Sequence, residues 1–403
     1  MLIPSLFLNA KSAKKIRKVA QSNEDKLFIS IYWIVYIVAI PLRTLPLEMS
    51  KAQKTYFTSE LMRWHSTANQ RSLPWKEEKD PYKIWLSEII LQQTRALQGL
   101  PYYLKFTGAY PTVKKMAAAK DEEVFRLWQG LGYYNRCRNM LATARYIANE
   151  LKGKFPASYS EILELKGIGP YTAAAIASFA YGLPHAVVDG NVYRVLARYF
   201  GIDTAFDITE GKKLFQSLAQ ELLDEGNSAG YNQAIMDLGA TVCTPGAPAC
   251  GKCPLRKKCI ALKQNMVNLL PVKSKKVTVK KRYFHYLLIH AGDKIWIQKR
   301  SDKDIWQNLH EPYLVEAKGA MDAKTLKEHT GYSALPWAEN TPVYEGNMSQ
   351  RLTHRIIETR FFSLEVKEAK TIQGAGKWVD VSSLKNLAFP KTLVSFLEKK
   401  LYF

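Results

Sequence analysis

Four cysteines, Cys243, Cys250, Cys253 and Cys259, stand in the pattern C-x6-C-x2-C-x5-C. Thiolates this dense can all reach one metal centre, and in a reduced compartment such a cluster points to metal, with disulfide cross-linking as the alternative. Sites with four cysteine ligands hold either zinc or an iron-sulfur cluster. A zinc ribbon carries two separate C-x2-C knuckles, whereas this loop has one between unequal arms, which favours a 4Fe-4S cluster. The same loop carries Lys252, Arg256, Lys257 and Lys258, which suit phosphates or simply solvate the loop.

A second kind of chemistry rests on two acids. Glu88 is the single carboxylate in the apolar run W-L-S-E-I-I-L-Q-Q-T at residues 85–94. On a helix this Glu turns toward the interior, where desolvation raises its pKa until it carries a proton near neutral pH, as a general acid must. Asp189 follows the strand-like pair Val187-Val188 and precedes Gly190-Asn191-Val192. At the start of a helix its default role is an N-cap.

These residues need a scaffold. From Tyr56 to about Leu269 the apolar positions recur every three or four residues, as in Ile84-Trp85-Leu86-Ile89-Ile90 and Leu141-Ala144-Ile147-Ala148-Leu151, predicting helices packed by one face. Cys137 falls in such a stretch as an inert packing residue. The segment L-K-G-I-G-P-Y-T-A-A-A-I at 165–176 looks like a helix-hairpin-helix turn. Gly167 and Gly169 permit a tight turn and close backbone approach, and the N–H groups opening the next helix can hold a phosphate, which positions DNA without reading sequence. An ordinary interhelical turn is the alternative. After a basic linker at 271–282, strands are expected at 283–289, 295–297 and 360–362, with helices at 326–327 and 392–399. The expected domains are therefore an all-α region over 51–270 and an α+β domain over 283–403.

The chain has 403 residues, enough for two or three cores, and 58 Lys and Arg against 36 Asp and Glu give a formal charge of +22. That field attracts polyanions and makes their binding salt-dependent. In residues 1–50, a basic stretch precedes an uncharged apolar run over 27–40. This run is short for a membrane span, and Met49 follows it. The expected explanation is an extension upstream of a true start at Met49, with a targeting segment as the alternative.

The cysteine spacing and the hairpin resemble the endonuclease III superfamily of DNA glycosylases. The fuller set, L-P-W at 73–75, W-L-S-E-I-I-L-Q-Q-T-R at 85–95, G-L-G-Y-Y-N-R at 130–136, V-D-G-N-V at 188–192 and the four-cysteine loop, resembles the adenine-specific MutY-type members over roughly residues 52–400. This resemblance implies a mostly α catalytic region of helix-hairpin-helix glycosylase domains with one 4Fe-4S cluster per chain. A Nudix-like α+β domain that helps recognise 8-oxoguanine would follow. It implies hydrolysis of the N-glycosidic bond of adenine mispaired with 8-oxoguanine or guanine in duplex DNA, after the nucleotide is flipped from the stack. Glu88 would protonate adenine N7, and Asp189 would stabilise the oxocarbenium ion at the sugar. Tyr171 and Asn191 would support the flipped nucleotide and Asp189. Leu91, Gln93, Thr94 and Tyr133 match positions that fill the gap or face the 8-oxoguanine strand, although helix packing alone would account for Leu91 and Tyr133. Gly167 and Gly169 would meet the backbone and His354 the lesion. Lyase-type members carry a lysine at the position of Tyr171, and a phenol forms no Schiff base, so no efficient strand cleavage is expected. The implied enzyme is a monomer of the bacterial cytoplasm, associated with the nucleoid and without a membrane partner.

Departures from the family pattern matter as well. Leu352-Thr353-His354 stands where Phe-Ser-His is common and keeps a hydroxyl and the histidine without the aromatic wedge. Lys76 replaces a common Arg, with different hydrogen-bond geometry. The segment Asn308-Leu309-His310-Glu311-Pro312 also diverges, and no Nudix-box run of acids is present, so pyrophosphatase activity is not expected. Two rival readings keep the scaffold, one excising thymine from T:G pairs and one binding DNA without catalysis.

Overall fold

Local signals in the chain set where its helices begin and end. Asp80 accepts a hydrogen bond from the Tyr82 backbone N–H at 2.9 Å, and Pro81 opens the helix Pro81–Leu91 behind it. Ser158 and Glu161 close a capping box. Gly182 and Gly201, in left-handed conformation, terminate two helices. The computed structural model describes residues 50–274, 278–300, 304–374, 376–400 and 402; the upstream extension expected over 1–50 lies, apart from its last residue, outside them. The helices are α1 (Lys51–Thr67), α2 (Pro81–Leu91), α3 (Ala96–Ala109), α4 (Val113–Ala118), α5 (Asp121–Trp128), α6 (Tyr134–Asn149), α7 (Tyr159–Glu164), α8 (Pro170–Tyr181), α9 (Gly190–Phe200), α10 (Thr209–Leu222), α11 (Ser228–Thr241) and α12 (Ile260–Lys263). None of the helices in the described residues is long and apolar enough to cross a membrane.

The helical region packs as its periodicity predicts. Trp85, Leu86 and Ile90 of α2, Phe106 of α3, Trp128 of α5 and Cys137 and Ile147 of α6 are buried together. Phe106 and Trp128 meet edge to face at 5.8 Å. Strand character at Val187-Val188 does not materialise, because this stretch runs between α8 and α9 without a ladder. Its backbone is satisfied instead by Asn232, whose carbonyl oxygen accepts from the Val187 N–H at 3.0 Å and whose amide donates to the His185 carbonyl at 2.9 Å. A buried chain segment must find such partners wherever no strand supplies them.

The second region is a seven-stranded mixed sheet: β1 (Lys280–Ala291), β2 (Lys294–Lys299), β3 (His310–Glu311), β4 (Tyr313–Ala317), β5 (Val343–Arg351), β6 (Arg355–Glu365) and β7 (Gly376–Asp380). The order is β3-β2-β1-β6-β5, with β4 on β1 and β7 on β2. β1 and β6 are parallel and every other pairing is antiparallel. β1 takes in Lys280 to Arg282, which sequence assigns to the linker, because their backbones pair with Arg355 to Ile357. Side chains alternate between two cores. Tyr286 and Phe361 face α15 (Lys391–Lys399), where Phe361 stacks on Phe396 at 3.7 Å. Leu287 and Phe362 face α13 (Ala323–Glu328) and α14 (Thr330–Ser333).

Residues 54–403 form one compact unit, and its seam runs along α5 and the start of α6. Lys299 pairs with Glu122 at 3.2 Å, the Phe389 N–H donates to Gln129 at 3.3 Å, and the hydroxyls of Tyr133 and Thr353 bond each other. Replacing Phe361 by Ala should cost about 3–5 kcal/mol, because it removes a fully buried ring from between Tyr286 and Phe396. A thermal melt followed by circular dichroism checks this; an unchanged midpoint would mean that the sheet core collapses around the gap.

Candidate active site

Glu88 lies one turn before the end of α2 among buried neighbours and is 7% exposed. Burial pushes its carboxyl up to about 7; a hydrogen bond from the Tyr171 hydroxyl lowers it, and the nearby charge of Asp189 raises it further. Tyr171 opens α8 one residue after Pro170. Asp189 caps α9: its Oδ1 accepts from the backbone N–H groups of Asn191 and Val192, both at 2.8 Å, and its Oδ2 accepts from the Asn191 amide at 2.7 Å. Burial raises the Asp189 pKa, while those three hydrogen bonds and Arg194 oppose the rise. Two carboxyls thus lie within each other's field, and their surroundings differ: Glu88 has a single hydrogen bond, from Tyr171, to set against its burial, whereas three donors and Arg194 pull Asp189 back toward its charged form.

A cavity of about 50 Å³ opens beside Glu88, lined by Arg71, Trp75, Lys76, Gln233, Met236 and Asp237 among others. Asp237 is buried and accepts from Arg71 at 2.7 Å, Lys76 at 2.6 Å and Asn69 at 2.7 Å. Sequence reasoning missed Arg71, Gln233 and Asp237. The available signal was the i, i+4 spacing of Gln233 and Asp237 in an apolar helix, which puts both on one face. On the other side of Tyr171 runs an open groove of about 850 Å³, walled by Pro170, Val188, Tyr193 and Gln216 and bordered by Lys212 and Lys213.

α9 joins this site to the cysteine loop. Asn191 accepts from Arg194 at 2.8 Å, and Arg194 donates to the Cys243 carbonyl at 2.7 Å and the Gly239 carbonyl at 2.7 Å. One turn on, Arg198 donates to the Thr244 carbonyl at 2.8 Å and to the Cys243 sulfur at 3.4 Å. Gly239 allows this approach, because a Cβ there would stand 2.6 Å from the Asn191 Cβ. The four cysteines are half-buried and free of disulfides. Burial pushes Cys253 up to about 12 against a hydrogen bond from the Leu255 N–H, and the charges of Cys243, Cys259 and Cys250 raise it further, so the other three thiols lie within its field. Among the described residues no three His, Cys, Asp or Glu are arranged to hold a single ion. The fit to a cluster therefore rests on donor type and mutual proximity, and bound iron would reverse the penalty by taking the thiolates. Arg256 donates to the Gly251 carbonyl at 3.0 Å and Lys258 lies over the Tyr56 ring, so Lys252 and Lys257 are the loop's more available cations.

The residues expected to meet DNA lie on four connected turns. Leu91 ends α2 half-buried, so close to α3 that a Cβ at Gly99 would meet its Cδ2 at 2.7 Å, whereas Gln93 is exposed in left-handed conformation at φ 58°. Thr94 is half-buried beside it. Gly167, at φ 80° and packed on Asn139, needs glycine; Gly169, at φ −103° with open space at its Cβ position, leaves room that the protein does not fill. Tyr133 begins α6 at φ 49° and is 45% exposed. The β5–β6 turn carries exposed His354, and its Thr353 touches Tyr133.

A family model described as HhH-GPD superfamily base excision DNA repair protein matches residues 86–224, and a NUDIX domain model matches residues 285–399. The adenine DNA glycosylase of Buchnera aphidicola subsp. Schizaphis graminum is 32% identical over 356 residues, covering 85% of this chain and 98% of that protein. The human adenine DNA glycosylase is 40% identical over 219 residues, covering 52% of this chain and 40% of its own. Among solved structures, a thermostable thymine-DNA glycosylase shows a TM-score of 0.49 and 31% identity over 53% of this chain and 98% of its own. With a near full-length relative above 30% identity and both domains matched in order, this chain belongs to the MutY-type adenine DNA glycosylases of the helix-hairpin-helix superfamily.

Proposed function

We propose that this glycosylase removes adenine opposite 8-oxoguanine, and more slowly opposite guanine, by hydrolysing the N-glycosidic bond without an efficient lyase step. The observation that carries this reading is Glu88: a carboxyl whose pKa is raised to about 7 by burial, bonded to Tyr171 and within the field of Asp189. It holds a proton at neutral pH and can donate it to the departing base. The cavity beside it places the Glu88 carboxyl where a base could reach it.

With adenine in place, Glu88 protonates N7 and the glycosidic bond lengthens, leaving positive charge on the sugar. Asp189, held by three donors, presents its carboxylate to that charge without reorganising. Tyr171 keeps the two acids in register, and Asn191 fixes the Asp189 rotamer. Water then completes the hydrolysis. Lys76, the lysine lining the cavity, is engaged by Asp237 and the Arg71 carbonyl, so it offers no free amine for a Schiff base. Leu91, Gln93, Thr94 and Tyr133 fill the gap or face the 8-oxoguanine strand, Gly167 and Gly169 meet the DNA backbone, and His354 approaches the 8-oxoguanine. Cys243, Cys250, Cys253 and Cys259 would hold one 4Fe-4S cluster, which supplies order to the basic loop rather than chemistry to the reaction. The enzyme acts as a monomer on duplex DNA.

Excess enzyme mixed with labelled duplexes should give breaks at A opposite 8-oxoguanine only after alkali; breaks only at T opposite G would overturn the reading. The single-turnover rate should be flat below about pH 7 and fall above it, because the active form of Glu88 is protonated. Glu88→Gln should lose about 10²–10⁴-fold and this pH dependence with it. Asp189→Asn should lose about 10²–10³-fold in rate with duplex affinity retained, as a gel shift would show. Protein purified without air should be brown with about four iron atoms per chain, and Cys253→Ser should lower that content; colourless protein containing zinc would refute the cluster.

A further inference from the structure

The largest unexplained polar group near the site is Arg136. One of its guanidinium nitrogens, Nη1, donates to the carbonyls of Ile89 at 2.6 Å, Ile90 at 3.2 Å and Gln92 at 2.6 Å. These are the orphan carbonyls at the C-terminus of α2, and a cation there both caps them and complements the helix dipole. The guanidinium carbon also lies 5.2 Å from the Trp128 ring and 5.3 Å from the Tyr133 ring. Its other two nitrogens, Nε and Nη2, are buried with no hydrogen-bond partner among the described residues. Burial lowers its pKa to about 10. A purely structural arginine would be expected to satisfy more of its five donors; leaving two buried nitrogens unpaired is costly and marks a group held where it is for another reason.

What Arg136 touches suggests that reason. On one side stands Tyr133, exposed, at the seam with the sheet and bonded to Thr353. On the other is the last turn of the helix that carries Glu88: the Gln92 N–H donates to the Glu88 carbonyl at 3.2 Å, and the Gln92 side chain donates to Thr172, the neighbour of Tyr171, at 3.2 Å. Gln93 follows in left-handed conformation. A single rigid fork therefore spans from the ring at the lesion strand to the backbone that sets the height of the acid. We infer that Arg136 is a positioning residue that couples the two halves of the site, so that what Tyr133 meets on the opposite strand adjusts the register of Glu88 and Tyr171. This inference rests on the reading that Tyr133 faces the base opposite adenine. Lysine cannot replace the fork, because it has no planar face to lie between two rings while reaching three carbonyls.

The test is a double-mutant cycle in single-turnover kinetics on duplexes with A opposite 8-oxoguanine and A opposite G, using Arg136→Lys, Tyr133→Leu and both together. Wild-type rates on the two duplexes come first, and a wild type that does not release adenine or does not discriminate refutes the underlying reading rather than the coupling. With discrimination present, Arg136→Lys should slow the 8-oxoguanine duplex by roughly tenfold more than the G duplex. Adding Tyr133→Leu should then cost little more, since contacting residues are non-additive. Tyr133→Phe, which keeps the ring and loses the hydroxyl to Thr353, should retain most of the coupling. Circular dichroism and the iron content of each variant report folding separately. Should Arg136→Lys unfold the protein, Tyr133→Leu and Tyr133→Phe still decide, because the first must shift the pH midpoint of the Glu88 limb and the second must not. Additive losses, equal losses on both duplexes, or an unmoved midpoint in Tyr133→Leu would overturn the proposal.

Discussion

The desolvation of one carboxyl governs the arrangement around it. Glu88 sits in a helix that is otherwise buried and apolar, and removing water from a carboxylate is expensive unless the group takes a proton. Placing it there required that α2 be packed on both sides, that Tyr171 arrive from α8 to share its hydrogen, and that Asp189 stand near enough to be felt. Had Glu88 accepted as many hydrogen bonds as Asp189 does, it would hold its proton less firmly. The asymmetry between these two groups is the chemical content of the site.

Helix α9 transmits position. Its N-cap is Asp189, its first turn offers Asn191, and its next two turns carry Arg194 and Arg198 toward the cysteine loop. The loop is short and basic, with little apolar surface to order it, and metal ligation is the strong interaction that such a segment has available. A cluster held by these cysteines would act at a distance through carbonyl groups: the Cys243 carbonyl accepts from Arg194, Arg194 donates to Asn191, and Asn191 donates to Asp189. Gly239 is the packing condition for this chain of contacts, since any side chain would separate α11 from α9.

The sheet domain contributes through a narrow seam. Most of its sheet surface faces its own helices, and its polar contacts to the helical region fall on α5 and the beginning of α6. This is the part of the catalytic region that ends in Tyr133 and Arg136. The sheet domain thus connects to the helical domain at the turn that carries Tyr133, the residue that the proposed function sets against the opposite strand.

Much of this was legible in the chain itself. The period of apolar residues announced the helices, Asp189 read as the N-cap that opens α9, and the change of texture after residue 282 marked the sheet; motif spacing and the family resemblance singled out Glu88, Tyr171, Asp189 and the four cysteines. These features are local, and short-range sterics and hydrogen bonding decide them. Other features depend on contacts between segments far apart in sequence. Val187-Val188 has the composition of a strand, yet Asn232 takes its backbone. The first residues of β1 have the composition of a linker, yet β6 pairs with them. Gln233 and Asp237 reach the site only because α11 packs on α9, and Arg136 matters only because α6 begins beside the last turn of α2. The sequence by itself determined which residues can carry the chemistry. The tertiary structure alone decided their protonation and their coupling, because burial and the meeting of groups from distant helices exist only once the chain is folded.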